Sequence, residues 1–463
     1  MTGPQPLPAD TDSSHLTPGR GSDSGEGVVG RGRREGNLLF RDWYAELDAA
    51  AEAGAPTAYV FVMGSVAEIL KAFDFNLVFP EINSLQTAVR KVSLNYLNKA
   101  EDIGYSTDVC GYVKADVGVH LDDRRHPNGR IPRPSIVIAT NMCNTYVKWV
   151  EIWERMYGCK VFVLDIPGQR GNGWSSNPGS DQFENDRRYV QCQLEELIEA
   201  CESVTGRSFD LGRLQETLEN VNLMAADWSA TLALNRAVPA PFNAMGDGLA
   251  YMGVLSAYRG TETGASYMAR LREEMEHKVQ RGIGTIAEER FRLHGVGPAC
   301  YSHFRRFLEL FQDWGAVYVN SEYLAYAGGG LDRGIHYDLE RPLESLAEQL
   351  VITARHSMSN MFFSQDQLAD VVRDWRADGI VYHSVKSCRT VSTGMADSRE
   401  YVTRVKNIPA LFVESDLVDP RLWSEAQFKN RIDAFFEALA ARKVAATAAQ
   451  LMGTVAQQPA ATT

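Results

Sequence analysis

The chain has 463 residues, 44% hydrophobic and 23% charged, which is an ordinary globular composition, and at roughly 150 residues per domain it has room for two or three domains. Its formal net charge of -12 argues against a nucleic-acid surface, since holding phosphates calls for a basic excess or stripe. No window reaches an uncharged apolar run of about 18 residues, so no membrane span is expected; Arg33 and Arg34 are followed by Glu35 and only a short Leu-Leu-Phe, which is no export signal, and a cytoplasmic location is expected.

Residues 1–36 are rich in Gly, Ser, Pro, Asp and Arg and carry few large apolar groups, so they read as a tail that cannot offset the entropy of ordering. Short β-rich runs then alternate with helical patterns: 58–65, 135–141, 160–167, 316–323, 379–385 and 408–416. Continuous apolar runs bounded by turn residues suit strands buried on both faces, with room between them for crossover helices. Residues 182–235 and 262–290 read as long helices. The expected fold class is α/β, with two Rossmann/flavodoxin-like lobes, 37–240 and 241–437, parallel sheets, a helical connection, and a low-complexity tail over 438–463 with one frayed helix at its start.

Seven cysteines are scattered without a CxxC pair, which removes both a secreted disulfide framework and the usual signature of structural zinc. Three of them sit at turns beside strands or helices: Cys110 in YSTDVCGYV, Cys143 in IVIATNMCNTY and Cys388 in YHSVKSCRTV. Open α/β sheets concentrate chemistry at strand carboxyl ends, so these thiols are placed to reach a crevice. After the strand ending near Thr140, Asn141 or Asn144 can cap a helix whose apolar face includes Tyr146, Trp149, Val150, Trp153, Met156 and Tyr157. Cys143 then lies at the helix amino end, where the partial positive charge favours a thiolate. Taken singly, each cysteine reads equally as a buried packing residue. Cys159, Cys192 and Cys201 are assigned to core packing, and Cys300, in a Gly-Pro loop, is held as a reserve ligand.

No nucleotide loop is present: Gly168, Gly171 and Gly173 have neither GxxxxGK[ST] nor GxGxxG spacing, and the same holds at 246–248 and 327–330. These stretches read as turns, although 327–334, after a strand, could line a substrate crevice. For proton handling the candidates are Glu81, His294 and His383, with Ser65 as a hydrogen-bonding neighbour. Each has a plain alternative, as a loop carboxylate or a satisfied core histidine.

The order GSVAEILKAFDFNLVFPE, GYSTDVCGYVKADVG, NMCNTYVKWVEIWERMYGCKVFVLDIP and SCRTVSTGM resembles the benzoyl-CoA reductase and 2-hydroxyacyl-CoA dehydratase family over most of 37–437. Overall it is more similar to the catalytic subunits of ATP-dependent benzoyl-CoA reductases. The resemblance implies a 4Fe-4S cluster on Cys110, Cys143 and Cys388, a homologous second subunit, an ATPase activator carrying its own iron-sulfur cluster, ferredoxin as electron donor and an acyl-CoA substrate. The implied reaction is reduction of benzoyl-CoA, or a related aromatic acyl-CoA, to a cyclic dienoyl-CoA; the alternatives are radical dehydration of a 2-hydroxyacyl-CoA and a non-catalytic electron-relay subunit. Val66 stands where the family often has Pro, and the long amino-terminal tail is a second departure.

Overall fold

The computed structural model describes residues 28–168, 178–357 and 364–456; Gly171 and Gly173 lie outside them. Leaving aside a two-residue hairpin at 125–130, eight strands form two parallel sheets. The first contains β1 (Thr57–Val60), β2 (Asn76–Val78), β3 (Ile136–Thr140) and β4 (Lys160–Leu164) in the spatial order β2-β1-β3-β4. The second contains β5 (Phe291–Val296), β6 (Ala316–Ser321), β7 (Gly379–Val385) and β8 (Ala410–Ser415) in the order β8-β7-β5-β6. The first sheet, numbered by itself, reads 2-1-3-4, the start of the flavodoxin-like order, and the second, numbered by itself and read from its other edge, has the same order. The expected pair of α/β lobes with parallel sheets is therefore what the chain forms.

Burial explains why the inner strands read so clearly. Every residue of β1, β3 and β5 is buried, as helices on both faces of a parallel sheet require, while the edge strand β4 is largely open to solvent. Two strands lie outside the six runs read as strands. β2 has only three residues, and β5, inside its sheet, is interrupted by Arg292 and His294. Arg292 is accommodated because its guanidinium donates to three main-chain carbonyls, of Asn235, Ala237 and Trp375, at 2.9–3.2 Å, and pairs with Glu289.

Between the sheets, the helical region expected over 182–235 is two helices, Asp181–Thr205 and Leu211–Leu234. Ser180 caps the first by accepting from the Phe183 amide, and Asp210 caps the second. The helix expected from 262 ends at Gln280.

Helices enter both stretches read as tails. A helix starts at Arg31, inside the stretch read as tail, and packs through glycines. A Cβ on Gly32 would stand 2.5 Å from Leu271 Cδ1, and one on Gly36 2.7 Å from the Tyr267 hydroxyl. Close backbone approach here replaces the large apolar side chains whose absence suggested disorder. At the other end the helix Glu425–Ala456 continues well beyond Ala438. Among the described residues no helix is long and apolar enough to cross a membrane.

Candidate functional site

Each of the three cysteines singled out in the sequence is the residue that begins a helix. Cys110 precedes the helix Gly111–Leu121, Cys143 precedes Asn144–Tyr157, and Cys388 precedes the short turn of helix Arg389–Ser392. Cys143 and Cys388 are equivalent by topology, since each follows the third strand of its own sheet at the carboxyl end. Cross-links between the lobes bring them together. Cys143 Sγ lies 3.3 Å from Thr390 Oγ1, and Thr390 donates to Asn144 Oδ1 at 2.9 Å. Cys110 is drawn in by the next residue, whose amide donates to Ser387 Oγ at 3.0 Å. Ser387 in turn donates to the buried Asp416, which also accepts from the amides of Val418 and Asp419. Position 111 must be glycine for this approach, because a Cβ there would stand 2.7 Å from Asp416 Oδ1 and 2.8 Å from Val418 Cγ2.

The thiols sense one another electrostatically. Burial pushes the Cys110 thiol well above its ordinary pKa, and negative charge on Cys388 and Cys143 would raise it further. Cys388 is pushed up to about 11, again by burial first, with Cys143 and Asp416 adding to it. Helix-start amides act in the opposite direction at both sites but do not prevail. At Cys110 and Cys388, then, an amino-terminal helix position alone does not make a thiolate; three thiolates can coexist here only around a compensating positive centre. Among the described residues no three His, Cys, Asp or Glu side chains close on a point as one metal ion requires. The charges of the three sulfurs influence one another, and soft sulfur donors are the ligand type on which iron-sulfur clusters are held.

Glu81 enters the same region from the start of the helix Pro80–Val89. It is buried, its carboxylate accepts from the Val62 amide at 3.0 Å and from the Tyr146 hydroxyl, and burial pushes its pKa up to about 7. Ser65, in the turn after β1, accepts from the Ala67 amide. His383 is placed differently. It is buried within β7, with Nδ1 against the Pro298 carbonyl and Nε2 2.7 Å from Ser415 Oγ, so both ring nitrogens are engaged inside the sheet. His294 lines a separate cavity that none of the cysteines borders. Cys300 is fully buried beside Ser302, Cys159 and Cys201 are buried as expected, and Cys192, assigned to the core, is exposed on its helix.

Four tyrosines complete the site, and sequence reasoning gave none of them a functional part. Tyr146 lies flat against Phe61, ring centroids 3.8 Å apart, while its hydroxyl reaches Glu81. The Tyr112 and Tyr323 hydroxyls are 3.5 Å apart, and the Tyr112 ring stacks near that of Tyr301, whose buried hydroxyl faces those of Tyr112 and Tyr323. Burial raises the pKa of all four, Tyr323 to about 12, so they remain neutral hydrogen-bond donors at physiological pH. A signal was available for two of them: Tyr112 and Tyr146 lie in the first turn after Cys110 and Cys143, where a side chain shares the cysteine's surroundings.

The family described as 2-hydroxyglutaryl-CoA dehydratase, D-component, matches residues 64–439, which takes in every strand of the two sheets except β1, and all three cysteines. The chain belongs to that family. Among curated relatives it is 35% identical over 406 residues to a benzoyl-CoA reductase subunit of Thauera aromatica, covering 85% of this chain and 91% of the relative. It is 27% identical over 384 residues to the (R)-phenyllactyl-CoA dehydratase alpha subunit of Clostridium sporogenes, covering 82% and 88%. It is 25% identical over 414 residues to the (R)-2-hydroxyisocaproyl-CoA dehydratase alpha subunit of Clostridioides difficile, covering 88% and 96%. All three relatives are named as subunits, one of a reductase and two of dehydratases.

Proposed function

We propose that this chain is the iron-sulfur catalytic subunit of a reductase that converts benzoyl-CoA, or a related aromatic acyl-CoA, to a cyclic dienoyl-CoA. What supports this reading is that Cys110, Cys143 and Cys388 begin three helices drawn from both lobes and lie near enough to feel one another's charge. Cys110, Cys143 and Cys388 would hold a 4Fe-4S cluster, which would supply low-potential electrons one at a time. Pairing with a second subunit, which we take to be homologous, accords with the relatives' being named as subunits. An ATPase activator with ferredoxin as donor is consistent with the absence of a nucleotide loop motif from this sequence and with the very negative potential that reducing an aromatic ring demands.

The residues of this chain would hold the substrate and manage its protons. Glu81, poised near pH 7 by burial, can hold or release a proton at Oε1 through Tyr146. Neutral Tyr112 and Tyr323 can donate hydrogen bonds to a thioester carbonyl or its reduced form, and the surrounding aromatic side chains exclude water that would otherwise quench a radical.

A second reading has specific support, because two of the relatives above are named dehydratases. Dehydration of a 2-hydroxyacyl-CoA needs electrons only catalytically, whereas ring reduction consumes them stoichiometrically. Anaerobic assay with benzoyl-CoA, ATP, activator and reduced ferredoxin, counting electrons per product, separates the two. Two electrons per dienoyl-CoA support the reductase; turnover of a 2-hydroxyacyl-CoA without net electron use supports the dehydratase. Iron and sulfide analysis tests the site itself. Cys110→Ser, Cys143→Ser and Cys388→Ser are each expected to lose most of the iron, while Cys192→Ser retains it; full iron content in any of the three would remove that residue from the ligand set.

A further inference from the structure

His294 is 1% exposed, and neither of its ring nitrogens has a hydrogen-bond partner among the described residues. A β-bulge in the neighbouring strand sets Asn320 beside it. β5 and β6 run in register from Phe291↔Ala316 to Leu293↔Tyr318, then skip Val319 so that His294 faces Asn320. Bulges re-aim side chains in this way beside binding sites. Both residues line a cavity of about 330 Å³ between the second sheet and the helices that cover it.

The cavity has three chemically distinct parts. Its floor is His294 and Asn320, and burial holds the imidazole neutral, lowering its pKa to about 4, so one nitrogen can donate and the other accept. The walls include the buried Leu232, Leu324, Leu368 and Trp375. At the mouth, the guanidinium of exposed Arg236 lies over the Trp375 ring, 5.1 Å from its centroid, and has no carboxylate partner among the described residues. Arg333 and Asp332, also lining, answer each other's charge at 3.7 Å, and Glu322 lines the cavity as well, so Arg236 is the lining arginine without an ion pair among the described residues. The volume is at the small end of ligand sites and admits one ring or a short acyl chain, not a nucleotide or a whole CoA thioester.

We propose that this cavity is a second small-molecule site, for a compact organic carboxylate with an apolar body and a hydroxyl at its far end, a hydroxybenzoate being the simplest member. The carboxylate meets the fork of Arg236, the body fills the space against Trp375 and the leucines, and the hydroxyl both donates to and accepts from the floor formed by His294 and Asn320. The site stands independently of whether the cysteines hold a cluster.

Isothermal titration calorimetry on the full-length chain, with 4-hydroxybenzoate and benzoate as probes, tests this directly. The expected result is saturable binding of 4-hydroxybenzoate at one site per chain, at least about tenfold tighter than benzoate, because a site built for a hydroxyl discriminates against its absence. His294→Leu is expected to abolish that preference, Arg236→Gln to weaken both acids about tenfold, and Cys143→Ser to change neither. No saturable binding, an undiminished preference in His294→Leu, or displacement of 4-hydroxybenzoate by equimolar inorganic phosphate would overturn the proposal. Arg236 is at the exposed mouth, so its variant gives a result even if the strand variant fails to fold.

Discussion

At Glu81 the protonation state is set by surroundings that the neighbouring residues in sequence do not reveal. The carboxyl is buried, and although Val62 and Tyr146 both donate to it, loss of hydration outweighs them and its pKa rises to about 7. A carboxylic acid whose folded-state pKa is raised favours folding most fully below its unfolded value, near 4.5, and that contribution is lost as pH climbs through about 7. The loss is on the order of 3 kcal/mol. Thermal melts should therefore show wild type losing stability between pH 5 and pH 8 more steeply than Glu81→Gln, which cannot ionise. Parallel curves would mean that Glu81 titrates normally. His383 makes the opposite point: its position near the end of a strand made it a candidate for proton transfer, yet its place inside the sheet occupies both nitrogens.

Two helices carry Cys110 and Cys143 into the site, and a single carboxylate holds them against each other. Asp116, on the helix Gly111–Leu121, accepts from the indole nitrogens of Trp149 and Trp153, on Asn144–Tyr157, at 2.9 and 3.0 Å, with all three side chains buried. The helical periodicity predicted an apolar face through Trp149 and Trp153, and both are buried while Met156 is exposed; that the two indoles converge on an acid was not legible, since periodicity identifies a face and not what it meets. Asp116→Ala leaves two buried donors unpaired and is expected to cost roughly 2–5 kcal/mol in urea denaturation. It should also lower iron retention in the purified protein, because the spacing of the two cysteines depends on this contact. A variant with wild-type stability would show that the helix pair is held by apolar packing alone.

Across the whole molecule, the two halves are joined by a buried ion pair. Glu68, next to the first sheet, accepts from Arg259 Nε at 2.7 Å and from the Tyr337 hydroxyl at 3.2 Å, and Arg259 also donates to the Gly328 carbonyl. Both charged side chains are at most 5% exposed. Removing one partner strands the other, so Glu68→Ala is expected to cost about 3–5 kcal/mol, measured by chemical denaturation, and the double variant Glu68→Leu with Arg259→Met to recover much of it. Full additivity of the two single changes would show that the residues do not interact. The same long-range docking places Thr390 on Cys143 and Ser387 on the amide after Cys110.

The alternation of buried strands and helices was legible in the chain, as was the position of Cys110, Cys143 and Cys388 at turns beside strands or helices, because strand burial and helix starts are local properties of consecutive side chains. β5 is missing from the apolar runs because its arginine and histidine interrupt the pattern, and distant carbonyls and a cavity receive them. It took the folded arrangement to bring Cys110, Cys143 and Cys388 into one region, to join Glu81 and four tyrosines to them, and to turn His294 toward a different cavity. Those relations depend on loops from two separate sheets closing on one another, and no local pattern of residue types encodes a contact whose partners lie hundreds of residues apart.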